Sequence, residues 1–164
     1  MEFRRPLRYE EEIDAPFWLM AVLGASILAL LAAVVAVALD PEAGWQLFLW
    51  YYPLMTLVAV LLIAVVICFR RLRIEVSEEA VSIGFGIVRK TLPLSNIQNC
   101  ETQKYRWLTY GGWGIRYATG GRRAWSMPGV PDGVEMTVKE GKQVRRYFAS
   151  SRSPELLTAA VRGR

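Results

Sequence analysis

A chain of 164 residues is long enough for about one domain and an accessory element. Its hydrophobic share of 53% exceeds the roughly 45–50% of ordinary soluble domains, and the excess is concentrated in residues 17–69. There is no histidine, which removes the commonest general base and the commonest metal ligand, and the two cysteines, Cys68 and Cys100, make neither a disulfide framework nor a metal knuckle. The net charge of +5 is unevenly placed. From Arg70 onward 17 Lys and Arg face 8 Asp and Glu, a net +9, whereas the first 69 residues carry net −4.

Residues 1–16 read as a cytoplasmic N-terminal segment, with Arg4, Arg5 and Arg8 followed by the acidic run Glu10-Glu11-Glu12 and Asp14. Residues 17–39 are free of charge and, as a helix, long enough to cross a hydrocarbon core about 30 Å thick. A second uncharged run covers 46–69. An acidic lead-in and a second span do not suit a signal peptide, so residues 17–69 are expected to form an uncleaved transmembrane hairpin. Its turn is the polar Asp40-Pro41-Glu42-Ala43-Gly44-Trp45. Pro53 predicts either a kink in the second helix or a later start for it.

Basic residues flank the pair on one side: Arg4, Arg5 and Arg8 before it, Arg70, Arg71 and Arg73 after it, none in the turn. The positive-inside bias then puts both termini, and hence the domain that follows the pair, in the cytoplasm. In the first helix Gly24-Ala25, Leu28-Ala29 and Ala32-Ala33 form a small-residue stripe, suited to the partner helix or to a second copy. Neither span holds an ionisable residue, which argues against transport.

Residues 70–164 change to short alternating runs broken by turn residues. Leu72-Ile74-Val76, Val81-Ile83-Phe85, Ile87–Leu92, Ile97–Gln103, Trp113–Tyr117, Ala124–Met127, Val134-Met136-Val138 and Val144–Phe148 read as strands. The reading is a sheet or barrel of about seven strands, antiparallel throughout because the connections are short. Ser153, Pro154 and Glu155 then open an amphipathic helix with Leu156, Leu157, Ala160 and Val161 on one face. The predicted fold class is a membrane α-hairpin followed by an all-β domain capped by a C-terminal helix.

The order of strands and then one capping helix resembles a pleckstrin-homology fold. The whole layout, two transmembrane helices, a basic exit and such a domain, is similar to a family of small, mostly uncharacterised bacterial membrane proteins. Tyr110-Gly111-Gly112-Trp113-Gly114-Ile115-Arg116 resembles a Gly-Gly-Trp-Gly-Ile-Arg stretch of that family, as do Gly133–Lys142 and Ser153–Leu157. The likeness spans the chain in layout and residues 71–161 in pattern, with a departure over Arg122–Asp132. It implies the fold. Eukaryotic members of that fold bind phosphoinositides or peptides, but fold alone does not assign this to the bacterial group.

Candidate binding residues fall in three sets. Arg106, Trp107, Trp113 and Arg116 surround the glycine-rich stretch, either as a binding surface or as core packing with a tight bend. Arg122, Arg123, Lys142, Arg145 and Arg146 form an anion-binding patch or merely a solvated face. Arg70, Arg71 and Arg73 serve as a topology anchor in reach of headgroups. There is no His-centred triad, P-loop or metal-ligand cluster, so no enzyme, cofactor or small-molecule substrate is expected, and a membrane tether argues against nucleic acid. The sequence therefore predicts an interaction module for membrane lipids, a protein partner or its own copy. The alternative is a structural or assembly subunit of a larger membrane complex.

Overall fold

A computed structural model describes residues 7–40 and 45–163. These divide into two compact units: one from the residues before 16 and after 70, the other from the residues between.

The inner unit is a helical hairpin. Helix α1 covers Phe17–Ala38 and α2 covers Trp45–Phe69. Phe17–Ala38 and Leu49–Phe69 are both long and apolar enough to cross a membrane. The expected turn at 41–44 lies outside the described residues. Helix α2 runs through Pro53 rather than starting at it. In α1 the partly covered positions are Leu19, Met20, Leu23, Gly24, Ile27, Leu30, Val34 and Val37, most of them at a three-and-four spacing that marks the face turned to α2. Tyr51, Met55, Val58, Leu62, Val66 and Phe69 repeat it on α2. Bulky side chains dominate this seam, with Gly24 among them. Ala25, Ala29, Ala32, Ala33 and Ala36 stay exposed, and a Cβ added at Gly24 would touch nothing within 4 Å.

Among the described residues the other unit contains nine strands in two sheets. The first sheet has the order β1-β2-β3-β4, all antiparallel, from Leu7–Asp14, Arg71–Ser77, Ala80–Phe85 and Val88–Pro93. Strand β1 is the main departure from the sequence reading. The segment ahead of the hairpin is not a separate extension. It pairs with β2 from Leu7↔Ser77 to Asp14↔Arg71. The hairpin is therefore an insertion between two neighbouring strands. Counting the acidic β1 with this unit lowers its net charge from +9 to +6.

Alternation explains the rest of this sheet. Leu72, Ile74 and Val76 of β2, and Val81 and Ile83 of β3, have no exposed surface. Each such side chain contributes about 1.5–3 kcal/mol by leaving water. Ile13 joins them from β1, also fully buried. On the opposite face Arg71 pairs with Glu12 and Asp14, and Arg73 with Glu10, Glu12 and Glu75.

The second sheet has the order β5-β8-β9-β7-β6, from Ile97–Lys104 (β5), Gly114–Ala118 (β6), Arg122–Ser126 (β7), Asp132–Glu140 (β8) and Gln143–Ser150 (β9). The pairing is antiparallel except between β7 and β9, which run parallel, so the expectation of a wholly antiparallel sheet is corrected here. Cys100, Val134, Met136, Val138, Tyr147 and Ala149 fill its inner face. Lys90 of β4 bridges to Glu140 of β8, 3.0 Å away, and Glu140 also accepts hydrogen bonds from Tyr147 and Arg145. The last helix (called α4 below), Pro154–Arg162, packs against β1, β2, β5 and β8 with Leu157 and Val161 buried. Ser153 precedes it as expected but makes no side-chain capping bond. Glu11 instead anchors its entry, accepting from the Tyr9 and Ser151 hydroxyls and the Arg152 N–H.

Candidate functional site: a basic pocket beside an exposed aromatic turn

The outer face of the five-stranded sheet is apolar at its centre and basic at its edge. Cross-strand register places Glu135 of β8, Phe148 of β9 and Ala124 of β7 in one row. One step along, Thr137, Arg146 and Arg122 form the next row. Phe148 and Ala124 are covered by Tyr110 and Tyr105, which stack on each other at 5.3 Å and lie against the Phe148 ring. Gly133 makes this packing possible. A Cβ there would meet the Ala149 carbonyl oxygen at 2.2 Å and Phe148 Cζ at 2.6 Å.

Tyr110 comes from a four-residue helix, Trp107–Tyr110, labelled α3. Gly111 ends it in the left-handed region, φ 73°, and its N–H bonds the Trp107 carbonyl at 2.7 Å. That is the backbone conformation glycine adopts most readily, and it returns the chain toward β6. Two more bonds fix the turn: the Tyr105 hydroxyl donates to the Gly112 carbonyl, and Arg116 Nε donates to the Trp113 carbonyl at 3.0 Å.

Between turn and sheet lies a pocket of about 110 Å³. Gln103 and Lys104 of β5, Arg106, Thr109 and Tyr110 of the turn, Arg122, Glu135, Arg146 and Phe148 line it. Four cations thus face a single carboxylate. Glu135 is already engaged, accepting from the Tyr110 hydroxyl at 3.4 Å and facing Arg146 Nη1 at 3.7 Å. Burial, reinforced by the Glu135 charge, pushes the Tyr110 hydroxyl up to about 12, so it stays protonated and donates. Lys104, Arg106 and Arg122 form no ion pair among the described residues. Arg122 and Arg146 are direct cross-strand partners, an arrangement of like charges that is unfavourable without a counter-ion. Guanidinium groups beside a threonine hydroxyl and a glutamine amide suit a phosphate or carboxylate.

The structure sorts the sequence candidates into different places. Arg106, Arg122 and Arg146 come together in this pocket. Arg123 and Arg145 do not, because neighbouring residues on a strand point to opposite faces. Arg123 lies over the Tyr117 and Tyr147 rings and donates to the Tyr147 hydroxyl at 3.2 Å, while Arg145 is held by Glu140 and Gln143. Arg116 braces the turn, and Lys142 is exposed on the β8–β9 turn. Arg71 and Arg73 are engaged in the acidic ladder of β1, and Arg70 is exposed in the hairpin unit. Trp107 and Trp113 sit about half exposed on the turn, their rings 6.3 Å apart. Sequence reasoning missed Lys104, Gln103 and Glu135; the signal for the first two was only their closeness to Arg106, and the Glu135 side chain is 18% exposed.

In comparisons with family models, with curated proteins and with solved structures, nothing matches this chain.

Proposed function

We propose that this chain is a non-enzymatic, membrane-anchored interaction module whose β unit binds an anionic group at the cytoplasmic face. The observation that carries the reading is the pocket in which Lys104, Arg106, Arg122 and Arg146 meet one already engaged carboxylate. The two apolar helices support the anchor, and the arginines at 70, 71 and 73, with those before residue 9, support the orientation. Membership of the pleckstrin-homology-like bacterial membrane proteins belongs to the same proposal. Two β-sheets closed by an amphipathic helix support it, while the parallel β7–β9 pair and the strand ahead of the hairpin depart from the pattern first read.

The test uses the full chain in nanodiscs of neutral lipid, titrated with inorganic phosphate by calorimetry. Saturable binding that disappears in the Arg122→Gln/Arg146→Gln double variant is the expected result. No binding, or equal binding by the variant, refutes the reading.

A second reading, an assembly subunit of a membrane complex, is favoured by the exposed Ala25, Ala29, Ala32, Ala33 and Ala36 of α1, which α2 leaves uncovered. Crosslinking in intact cells tests it, since recovery of the monomer alone counts against it.

A further inference from the structure

The turn above the pocket presents an apolar tip to solvent. Leu108 is 91% exposed, the highest value among the large hydrophobic side chains of the described residues, and Trp107 and Trp113 flank it at 50% and 45%. A short helix normally buries such residues; this one spends its inward position on Tyr110 and turns Trp107 and Leu108 outward. Three hydrogen bonds brace the tip, one each at Gly111, Gly112 and Trp113. Its base is ringed by cations: Arg106 is adjacent in sequence, Arg116 bonds the Trp113 carbonyl, and the pocket lies beneath.

Indole rings and a leucine standing proud of a basic ring match the layered chemistry of a bilayer surface. Indoles favour the headgroup level, leucine the acyl chains just below it, and arginine the phosphates between. A protein partner would need an apolar recess and acidic residues in the same arrangement; an anionic phospholipid surface supplies both layers without further design. A chain already held in a membrane also meets that surface at high effective concentration. We propose that Trp107, Leu108 and Trp113 enter an anionic bilayer interface while the Arg106, Arg122 and Arg146 pocket takes a lipid phosphate, an inference that rests on the anion-binding reading above.

The test places a nitroxide at position 108 of the full chain, as Leu108→Cys in a Cys68→Ala background, leaving the buried Cys100 in place. Oxygen and nickel-chelate accessibilities are compared in nanodiscs of phosphatidylcholine alone and of phosphatidylcholine with phosphatidylglycerol. The expected result is a label inside the bilayer in anionic discs and in water in neutral ones, returning to water in the Arg122→Gln/Arg146→Gln variant. A Trp107→Ala/Trp113→Ala variant is expected to lose immersion yet keep its binding of inorganic phosphate, which shows the fold intact. A label in water in both lipids, with phosphate still bound, overturns the docking inference and leaves the anion-binding reading standing. Loss of phosphate binding by the unsubstituted chain removes both. Equal immersion in the two lipids overturns the role of the pocket, and spin–spin broadening between labels makes the tip a contact between copies instead.

Discussion

Asp14 Oδ1 accepts a hydrogen bond from Arg71 Nε at 2.7 Å, and the entire helical hairpin lies between these two residues in sequence. They end the β1–β2 ladder, which runs back to Leu7↔Ser77. The acidic run before the first helix is therefore structural in this unit. Its charges are not the main source of that stability: Arg71 and its partners are largely exposed, and such pairs contribute little in water and less in salt. Ile13 is the residue that matters most, because it is fully buried. Ile13→Ala should destabilise the β unit by about 2–5 kcal/mol, while Glu12→Gln should leave its unfolding midpoint nearly unmoved. Near-UV circular dichroism of the full chain in detergent, followed through urea, measures both. Deleting residues 1–14 should abolish the cooperative transition, so a fragment of residues 71–164 is expected not to fold alone.

That strand shows where sequence reading stopped. Strands β2, β3 and β8 were legible because their apolar residues alternate with polar ones, as in Leu72-Arg73-Ile74-Glu75-Val76, and the others were legible as short runs between turn residues. In β1 only Ile13 is an aliphatic facing the core, and Glu11 takes the neighbouring inward position through hydrogen bonds to Ser151 and the Arg152 backbone. Alternation was hidden by a run of like charge. The hairpin was legible from its length and lack of charge, but most of its seam was not: a small-residue stripe drew attention to alanines that stay exposed, whereas Gly24 of that stripe and mainly bulky side chains are the covered positions. For the site, Arg106, Arg122 and Arg146 were nameable from charge alone. That they converge, and that Arg123 and Arg145 turn away, depends on the parallel β7–β9 register, which pairs Arg122 with Arg146.

Gly133 is expected to be the least replaceable position under the pocket. The space its missing side chain leaves is filled by the Phe148 ring and the Ala149 carbonyl, both of buried residues. Gly133→Ala should cost about 1–3 kcal/mol or more through overpacking, and should weaken phosphate binding by displacing the Tyr105–Tyr110–Phe148 stack. Urea unfolding and the phosphate titration on the same sample check the two effects together.

Glu140 ties the sheets through Lys90 and holds Tyr147 and Arg145. The Tyr147 hydrogen bond, followed by those cations, lowers its carboxyl below the ordinary 4.5. A folded value below the unfolded one stabilises the native state fully above the ordinary value, and that contribution is lost as pH falls through the depressed one. The wild-type chain should therefore lose this contribution as pH falls below 4.5, whereas Glu140→Gln should be less stable at neutral pH and flatter across the acid range. Thermal unfolding at a series of acid pH values distinguishes the two curves; parallel curves would show that Glu140 is not the linkage.

Arg122 and Arg146 lead to a prediction with two opposite signs. As direct cross-strand partners they repel, and one engaged carboxylate, Glu135, serves only Arg146 among the described residues. Under the proposed function a ligand phosphate would complete this arrangement. Arg122→Gln should thus raise the stability of the unliganded chain by about 0.2–1 kcal/mol, through relief of the like-charge pair. It should also lower phosphate affinity by about tenfold or more, since one charge-assisted hydrogen bond is worth roughly 1.5–3 kcal/mol. The unfolding midpoint measured with and without phosphate reads both at once: phosphate should stabilise the wild type and leave the variant almost unmoved. A variant that loses stability in the absence of any anion would mean that Arg122 is held by the fold itself, and that the pocket is ordinary sheet surface.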